Sequence, residues 1–98
     1  MRYIVNTEDL DSLRKKIDMI DEKIVVLLIQ RMNIALSISD IKENNIVSIQ
    51  SKDRVSIVLE RVARIATENN GDDNFIREIY SLIIEKLTMM QLNKKGLI

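Results

Sequence analysis

The sequence predicts an all-α fold, and two observations carry this prediction. The chain of 98 residues contains no proline, two glycines and three aromatic residues, and it is rich in Ile, Leu, Lys and Glu. This composition argues against sandwiches, barrels and loop-rich folds. In addition, apolar residues recur at helical spacing along three segments. The length suits a single domain, residues 1–98, with a modest core.

The first predicted helix is unusually long, running from about Glu8 to about Lys42. Thr7 suits the N-cap, and Glu8 and Asp9 complement the helix dipole in the first turn. No helix breaker occurs before the run Glu43-Asn44-Asn45. At ~35 residues the helix is ~50 Å long. A compact domain of ~100 residues is only about 35 Å across, so helix 1 overshoots any globule that one chain could form.

An apolar stripe, which we call the seam, follows helix 1 with 3-4-3-4 spacing. It consists of Leu10, Leu13, Ile17, Ile20, Ile24, Leu27, Arg31, Ile34, Ile38 and Ile41. Because the seam continues past the length of a globule, we expect an intertwined homodimer in which a second copy covers it. The alternative is a kink that folds helix 1 into a monomeric bundle, and the lack of Pro or Gly in helix 1 argues against a kink.

Two shorter helices complete the predicted protomer. A connector is expected from Asn44 to Ser51, and helix 2 from Ser51 or Lys52 to Asn69. Its apolar face has helical spacing. That face is Val55, Val58, Leu59, Val62, Ile65 and Ala66.

The boundary before helix 3 combines a stop signal and a start signal. Gly71 suits a left-handed C-cap, and Asp72 or Asp73 suits an N-cap. Helix 3 is expected to run to about Lys94, with residues 95–98 frayed. Its expected buried residues are Phe75, Ile76, Ile79, Tyr80, Ile83, Leu87 and Met90.

Charge and residue types exclude several functions. Fifteen basic residues balance fifteen acidic ones, so no bulk field favours nucleic acid or an anionic membrane. Cys and His are absent, which removes disulfides, thiol and imidazole catalysis and the common zinc sites. We expect no metal and no cofactor. The polar N-terminus and the short apolar run from Ile24 to Ile29 suggest neither export nor a membrane span, so a cytoplasmic protein is expected.

Arg31 interrupts the seam, and burying an unpaired guanidinium costs several kcal/mol. We therefore expect an anion beside it, either a carboxylate of this protein, such as Glu85, or a ligand. Lys42 lies three turns further along the same face, with ~16 Å between the two Cα atoms. The gap between the two charged heads fits a small dianion. For Lys42 alone, the alternative is a helix-end charge that complements the dipole.

Three more polar residues are candidates for the same site as Arg31 and Lys42. Arg14 lies ~25 Å along helix 1 from Arg31 and ~100° around it. The two therefore reach one small molecule only from antiparallel copies, and a surface position is the alternative. Arg54 opens helix 2, where a cation opposes the dipole unless an anion binds.

Gln91 lies at the edge of the apolar face of helix 3. A part-buried amide needs partners, and a structural interhelical hydrogen bond is the alternative role. Together, Gln91 and the four cations Arg14, Arg31, Lys42 and Arg54 indicate a pocket that has no obvious general base. Such a pocket suits a dicarboxylate whose reaction needs shaping and charge stabilisation.

Several motifs share the residues and spacing of one known family. They occupy residues 13–21, 27–32, 41–42, 53–55, 59–62, 75, 83–85 and 91. In these motifs the chain resembles the all-helical chorismate mutases, and the likeness covers about residues 8–93. The spacing of Arg14, Arg31 and Lys42 fits that family without a gap. The resemblance implies an intertwined homodimer of three-helix protomers, acting in chorismate metabolism and aromatic amino acid biosynthesis.

The resemblance also implies roles for the site residues. Arg14 of one subunit and Arg31 of the other bind the two carboxylates of the substrate, and Arg54 assists. Lys42 and Gln91 donate to the ether oxygen, where negative charge grows during the Claisen rearrangement of chorismate to prephenate. This reaction is pericyclic and needs neither an acid–base group nor a nucleophile.

Three positions depart from the family pattern. Val55 replaces the acid or amide that usually holds the ring hydroxyl, Ser51 replaces a frequent Asp, and Leu87 replaces a common Ser. The Arg54-Val55 pair followed by Ser56, and the stretch Val62-Ala63-Arg64, resemble isochorismate pyruvate-lyase and 4-amino-4-deoxychorismate mutase, which remain alternatives. A non-catalytic helical dimerisation module is the alternative of another class, but it does not explain Arg31 within the seam. A nucleic-acid-binding dimer is weaker still, because charge is balanced.

Overall fold

The computed structural model describes residues 9–98, apart from the side chain of Val47. Its four helices are α1 (Leu10–Ile41), α2 (Ile46–Gln50), α3 (Lys52–Glu68) and α4 (Asp73–Lys94). The all-α prediction is confirmed, as are three long helices with bounds within two residues of those expected. No strand occurs within residues 9–98.

Helix α1 begins with a side-chain cap. The Ser12 N–H donates to Asp9 Oδ1 at 2.8 Å, so Asp9 satisfies one of the donors that a helix start leaves unpaired. The prediction that Thr7 caps this helix lies outside the described residues. The helix ends at Ile41, one residue before the expected end.

The prediction of a plain connector from Asn44 to Ser51 is wrong. Five of its residues form α2, and Asn45 is the N-cap, accepting from the Ser48 N–H at 2.8 Å. Asn44 and Asn45 looked like helix breakers, but an Asn can also start a helix because its side-chain oxygen replaces a backbone acceptor. A helix of five residues is too short to show helical periodicity in the sequence.

Helix α3 ends in a Schellman motif, and its left-handed residue is Asn70 rather than the predicted Gly71. Asn70 has φ 58°, and the Gly71 N–H donates to Ala66 O at 2.7 Å. An Asn tolerates this conformation better than most residues. Gly71 is needed for a different reason, since a Cβ there would lie 3.2 Å from Ala66 O.

Helix α4 is capped at both ends. Asp72 is the N-cap, as expected, and its carboxylate accepts from the N–H groups of Asn74 and Phe75. The expected fraying after Lys94 is wrong for Lys95, Gly96 and Leu97, whose N–H groups donate to carbonyls of α4. Gly96 has φ 71°, and the Leu97 N–H donates to Leu92 O at 2.9 Å. This second Schellman motif closes the helix.

The chain divides into two compact units, Met1–Asn33 and Ile34–Ile98. No residue in 9–33 is buried. The second unit has a core of its own, in which α4 packs against α2 and α3. That core contains Ile49, Val58, Val62, Ala63, Ala66 and Leu92.

Three residues that were expected to be buried are exposed in the single chain, and those predictions are wrong for it. They are Phe75, Ile79 and Met90. The second unit is small and buries few side chains in total, so its core takes up only part of each apolar face.

Helix α1 is long and apolar enough to cross a membrane by length and composition alone. The run from Ile24 to Ile29 is too short to span a bilayer, but the whole of α1 is long enough. Core helices of soluble proteins and signal sequences have the same property. The finding therefore does not by itself assign α1 to a bilayer.

Candidate active site

Helix α1 carries the first two predicted site residues. Arg14 lies one turn into the helix and is exposed, whereas Arg31 is half-buried. Both belong to the first unit. Part of Arg31 is thus shielded from solvent even in the single chain, although the aliphatic residues of the seam around it are exposed.

Lys42 follows the last residue of α1. Its N–H donates to Ile38 O at 3.2 Å, which continues the helical pattern by one residue. Its side chain is half-buried. The Lys42 carbonyl accepts from Lys95 Nζ at 3.4 Å, so the backbone at this position is tied to the end of α4.

Gln91 is the most buried of the predicted site residues, with 8% of its surface exposed. Its Nε2 donates to Ala35 O at 2.6 Å, which joins α4 to α1 within the second unit. The interhelical hydrogen bond weighed as an alternative is therefore present. It uses one of the two amide hydrogens, and it fixes which end of the amide carries nitrogen.

The remaining predicted residues lie on α3 and α4. Arg54 is in the first turn of α3 and is exposed. Val55 follows it and is half-buried, with its N–H donating to Ser51 O at 3.2 Å. Leu87 is half-buried on α4, one turn before Gln91. Val55 and Leu87 offer apolar surface at positions where a polar group was expected from the resemblance.

An open cavity of about 570 Å³ lies where α2 meets α3. Its lining residues are Ser48, Gln50, Ser51, Lys52 and Asp53. None of the predicted site residues lines it, although Arg54 is the next residue along the chain. Within the described part of the chain, no group of three or more acidic, His or Cys residues could hold a metal ion.

Sequence reasoning missed the contacts that hold the end of α1. Lys94 Nζ lies 3.0 Å from Asp40 Oδ2 and donates to Leu36 O at 3.5 Å. The signal in the sequence is faint. Helix α1 has no basic residue in its last turn, whereas α4 ends at Lys94 and its C-cap is Lys95.

Comparison with known proteins agrees with the resemblance. Residues 13–92 match the family model of chorismate mutase type II. Over 84 residues the chain is 32% identical to the chorismate mutase of Methanocaldococcus jannaschii, covering 86% of this chain and 85% of that protein. The chain therefore belongs to the chorismate mutase type II family, and the resemblance is confirmed.

Two other kinds of relative are informative. The chain is 37% identical over 89 residues to the bifunctional chorismate mutase/prephenate dehydratase of Buchnera aphidicola subsp. Schizaphis graminum, covering 88% of this chain but 23% of that protein. It thus spans about a quarter of this bifunctional relative. It is 26% identical over 83 residues to the 4-amino-4-deoxychorismate mutase of Streptomyces venezuelae, covering 85% of this chain and 81% of that protein.

Proposed function

We propose that this chain catalyses the Claisen rearrangement of chorismate to prephenate as a cytoplasmic homodimer built from a single domain. The observation that carries the proposal is its similarity to the chorismate mutase of Methanocaldococcus jannaschii, which extends over 85% of that protein. All seven predicted site residues fall within the matched residues 13–92. They are Arg14, Arg31, Lys42, Arg54, Val55, Leu87 and Gln91.

The chemistry needs positioning and charge stabilisation rather than proton transfer. In the proposed site, Arg31 and Arg14 of the second subunit bind the two carboxylates of chorismate, and Arg54 assists. Lys42 and Gln91 donate to the ether oxygen, which gains negative charge as the C–O bond breaks. Preorganised donors aimed at developing charge are the largest single contribution to many enzyme rates. The short Gln91–Ala35 bond supports this role, because it holds the amide in one orientation.

The exposure of α1 supports a second subunit. All nine aliphatic residues of the seam are exposed in the single chain, from Leu13 at 38% to Ile41 at 86%. A continuous exposed apolar surface marks an interaction site. An isolated helix derives little stability from propensity alone, so the segment 9–33 needs a surface to pack against.

The charged residues along α1 favour a second copy of the chain, rather than a lipid bilayer, as the surface that covers the seam. The fourteen residues from Leu10 to Lys23 include eight charged side chains. Further along, Arg31 lies near the middle of the more apolar half, where a bilayer would impose a cost of several kcal/mol. In a homodimer the same guanidinium faces a water-filled pocket and an anionic substrate.

A second candidate activity is 4-amino-4-deoxychorismate mutase. Val55 and Leu87 present half-buried apolar surface where the family pattern places polar groups. The relatives from Streptomyces venezuelae and Streptomyces pristinaespiralis, at 26% and 28% identity, carry that name. Isochorismate pyruvate-lyase, which residues 54–56 and 62–64 resemble, is the third reaction to test.

A parallel assay separates these activities. Purified protein is given chorismate, isochorismate or 4-amino-4-deoxychorismate, and the products are resolved by chromatography. The proposal predicts prephenate from chorismate as the fastest reaction, lost in Lys42→Met but retained in Lys86→Met. Lys86 is the matched control because it is an exposed lysine of α4 outside the proposed site. Pyruvate and salicylate from isochorismate, with no prephenate, would contradict the mutase activity.

A further inference from the structure

The C-terminal end of α1 and Lys42, which follows it, are held by side chains from the C-terminal end of α4 and its C-cap, Lys95. Gln91 donates to Ala35 O, Lys94 pairs with Asp40, and Lys95 donates to Lys42 O. All of these residues belong to the second unit. Three donors from one helix thus meet consecutive turns at the end of another helix.

These contacts bring hydrogen-bond donors and positive charge to the C-terminal end of α1. The last four carbonyls of a helix have no intrahelical partner, and they carry the negative end of the dipole. Cations in the last turn normally offset this charge, but the last turn of α1 contains none. Lys94 and Lys95 add positive charge from the end of α4 to that of Lys42, the residue that follows α1. Lys94 also approaches the carbonyl of Leu36 at 3.5 Å.

Backbone hydrogen bonds fix the C-terminal end of α4. The backbone positions of Lys94 and Lys95 are therefore fixed as well. The Leu97 N–H donates to Leu92 O at 2.9 Å, and Leu92 is 2% exposed. Gly96, with φ 71°, provides the left-handed residue that this closure requires. Lys95 lies between the helix and Gly96, and its side chain is half-buried.

We propose that Lys94 and Lys95 are positioning residues, which hold the end of α1 so that Lys42 points its ammonium at the reacting ether oxygen. This inference rests on the proposed function, since only there does Lys42 meet substrate. The Lys94–Asp40 pair is solvent-exposed, with side chains 44% and 58% exposed. Such a pair adds little to global stability. Its role is therefore local: it restricts the backbone that carries a proposed catalytic group.

The test compares Lys94→Met, Lys95→Met and the double variant with Lys86→Met as the control for loss of a lysine on α4. Small displacements of a catalytic group cost one to two orders of magnitude in rate. We expect kcat of the double variant to fall about tenfold or more, while KM changes about twofold at most. Lys94→Arg should restore the rate, because a guanidinium can still pair with Asp40.

Hydrogen exchange gives a readout that does not depend on activity. In the double variant, the amide of Lys42 should exchange faster, while amides of the α3 core around Val62 keep their protection. A merely destabilising change would lower protection at both places. Unchanged kcat and unchanged exchange at Lys42 would overturn the inference while leaving the mutase activity intact. If the wild-type protein turns over no chorismate, the proposed function fails, and the exchange data still decide whether the lysines hold Lys42.

Discussion

Residues 9–33 and residues 34–98 differ in what their side chains pack against. The first segment is continuous helix from Leu10 onward and has no buried residue, although its seam is almost entirely aliphatic. The second segment has its own core and closes both of its longer helices with Schellman motifs. Residues 34–98 thus stabilise the protomer. Residues 9–33 present an apolar surface that, in the proposed dimer, forms the subunit interface and places Arg14 in the site of the other subunit.

The largest effect is expected from a charge in the seam. Ile24→Asp places a carboxylate on the proposed subunit interface, where desolvation costs several kcal/mol. We expect loss of the dimer in analytical ultracentrifugation, rapid hydrogen exchange throughout residues 9–33 and no measurable turnover. Lys23→Asp is the matched control, because it places the same carboxylate one residue away and outside the seam. Dimers of unchanged stability in Ile24→Asp would refute the seam as the interface.

Removing the charge already in the seam should separate function from assembly. Arg31→Ala deletes a proposed substrate ligand from a half-buried position in the seam. Turnover should fall at least about a hundredfold, while thermal unfolding shows a dimer as stable as the wild type or more stable. If this variant instead loses its dimer, Arg31 has a structural ion pair, such as the one considered with Glu85.

The smallest effect on activity is expected in the core of the second segment. Leu92 is 2% exposed, and Leu92→Ala should lower the free energy of unfolding by about 2–5 kcal/mol. The rate below the unfolding transition should stay close to the wild-type value. The control is Ile57→Ala, which deletes the same number of carbons from a side chain that is 55% exposed. Equal losses of unfolding free energy in the two variants, measured by urea titration, would contradict the assignment of the core.

Local signals in the sequence predicted most of the fold. Caps and apolar spacing located three long helices, because both act over one or two turns of chain. The predictions were wrong where one residue type is compatible with two structural roles. Asn45 looked like a breaker but caps α2, and Asn70 takes the left-handed position that was assigned to Gly71.

Contacts between distant parts of the chain were beyond sequence reasoning. The Gln91–Ala35 and Lys94–Asp40 contacts join residues more than fifty positions apart, and no periodicity encodes such a pairing. The site residues themselves were predicted from a charge in an apolar seam and from family spacing. Their assembly around substrate stays a prediction, since it depends on a second copy of the chain.

Complementation between two inactive variants tests the central claim most directly. Arg14→Ala and Arg31→Ala proteins are unfolded together, refolded as a mixture and assayed with chorismate, with the mixed dimers counted by two affinity tags. If each site takes Arg14 from one subunit and Arg31 from the other, every mixed dimer regains one intact site. Random pairing then restores about a quarter of the wild-type activity. Mixed dimers that form but stay inactive would show that both arginines act within one subunit, and would contradict the shared site.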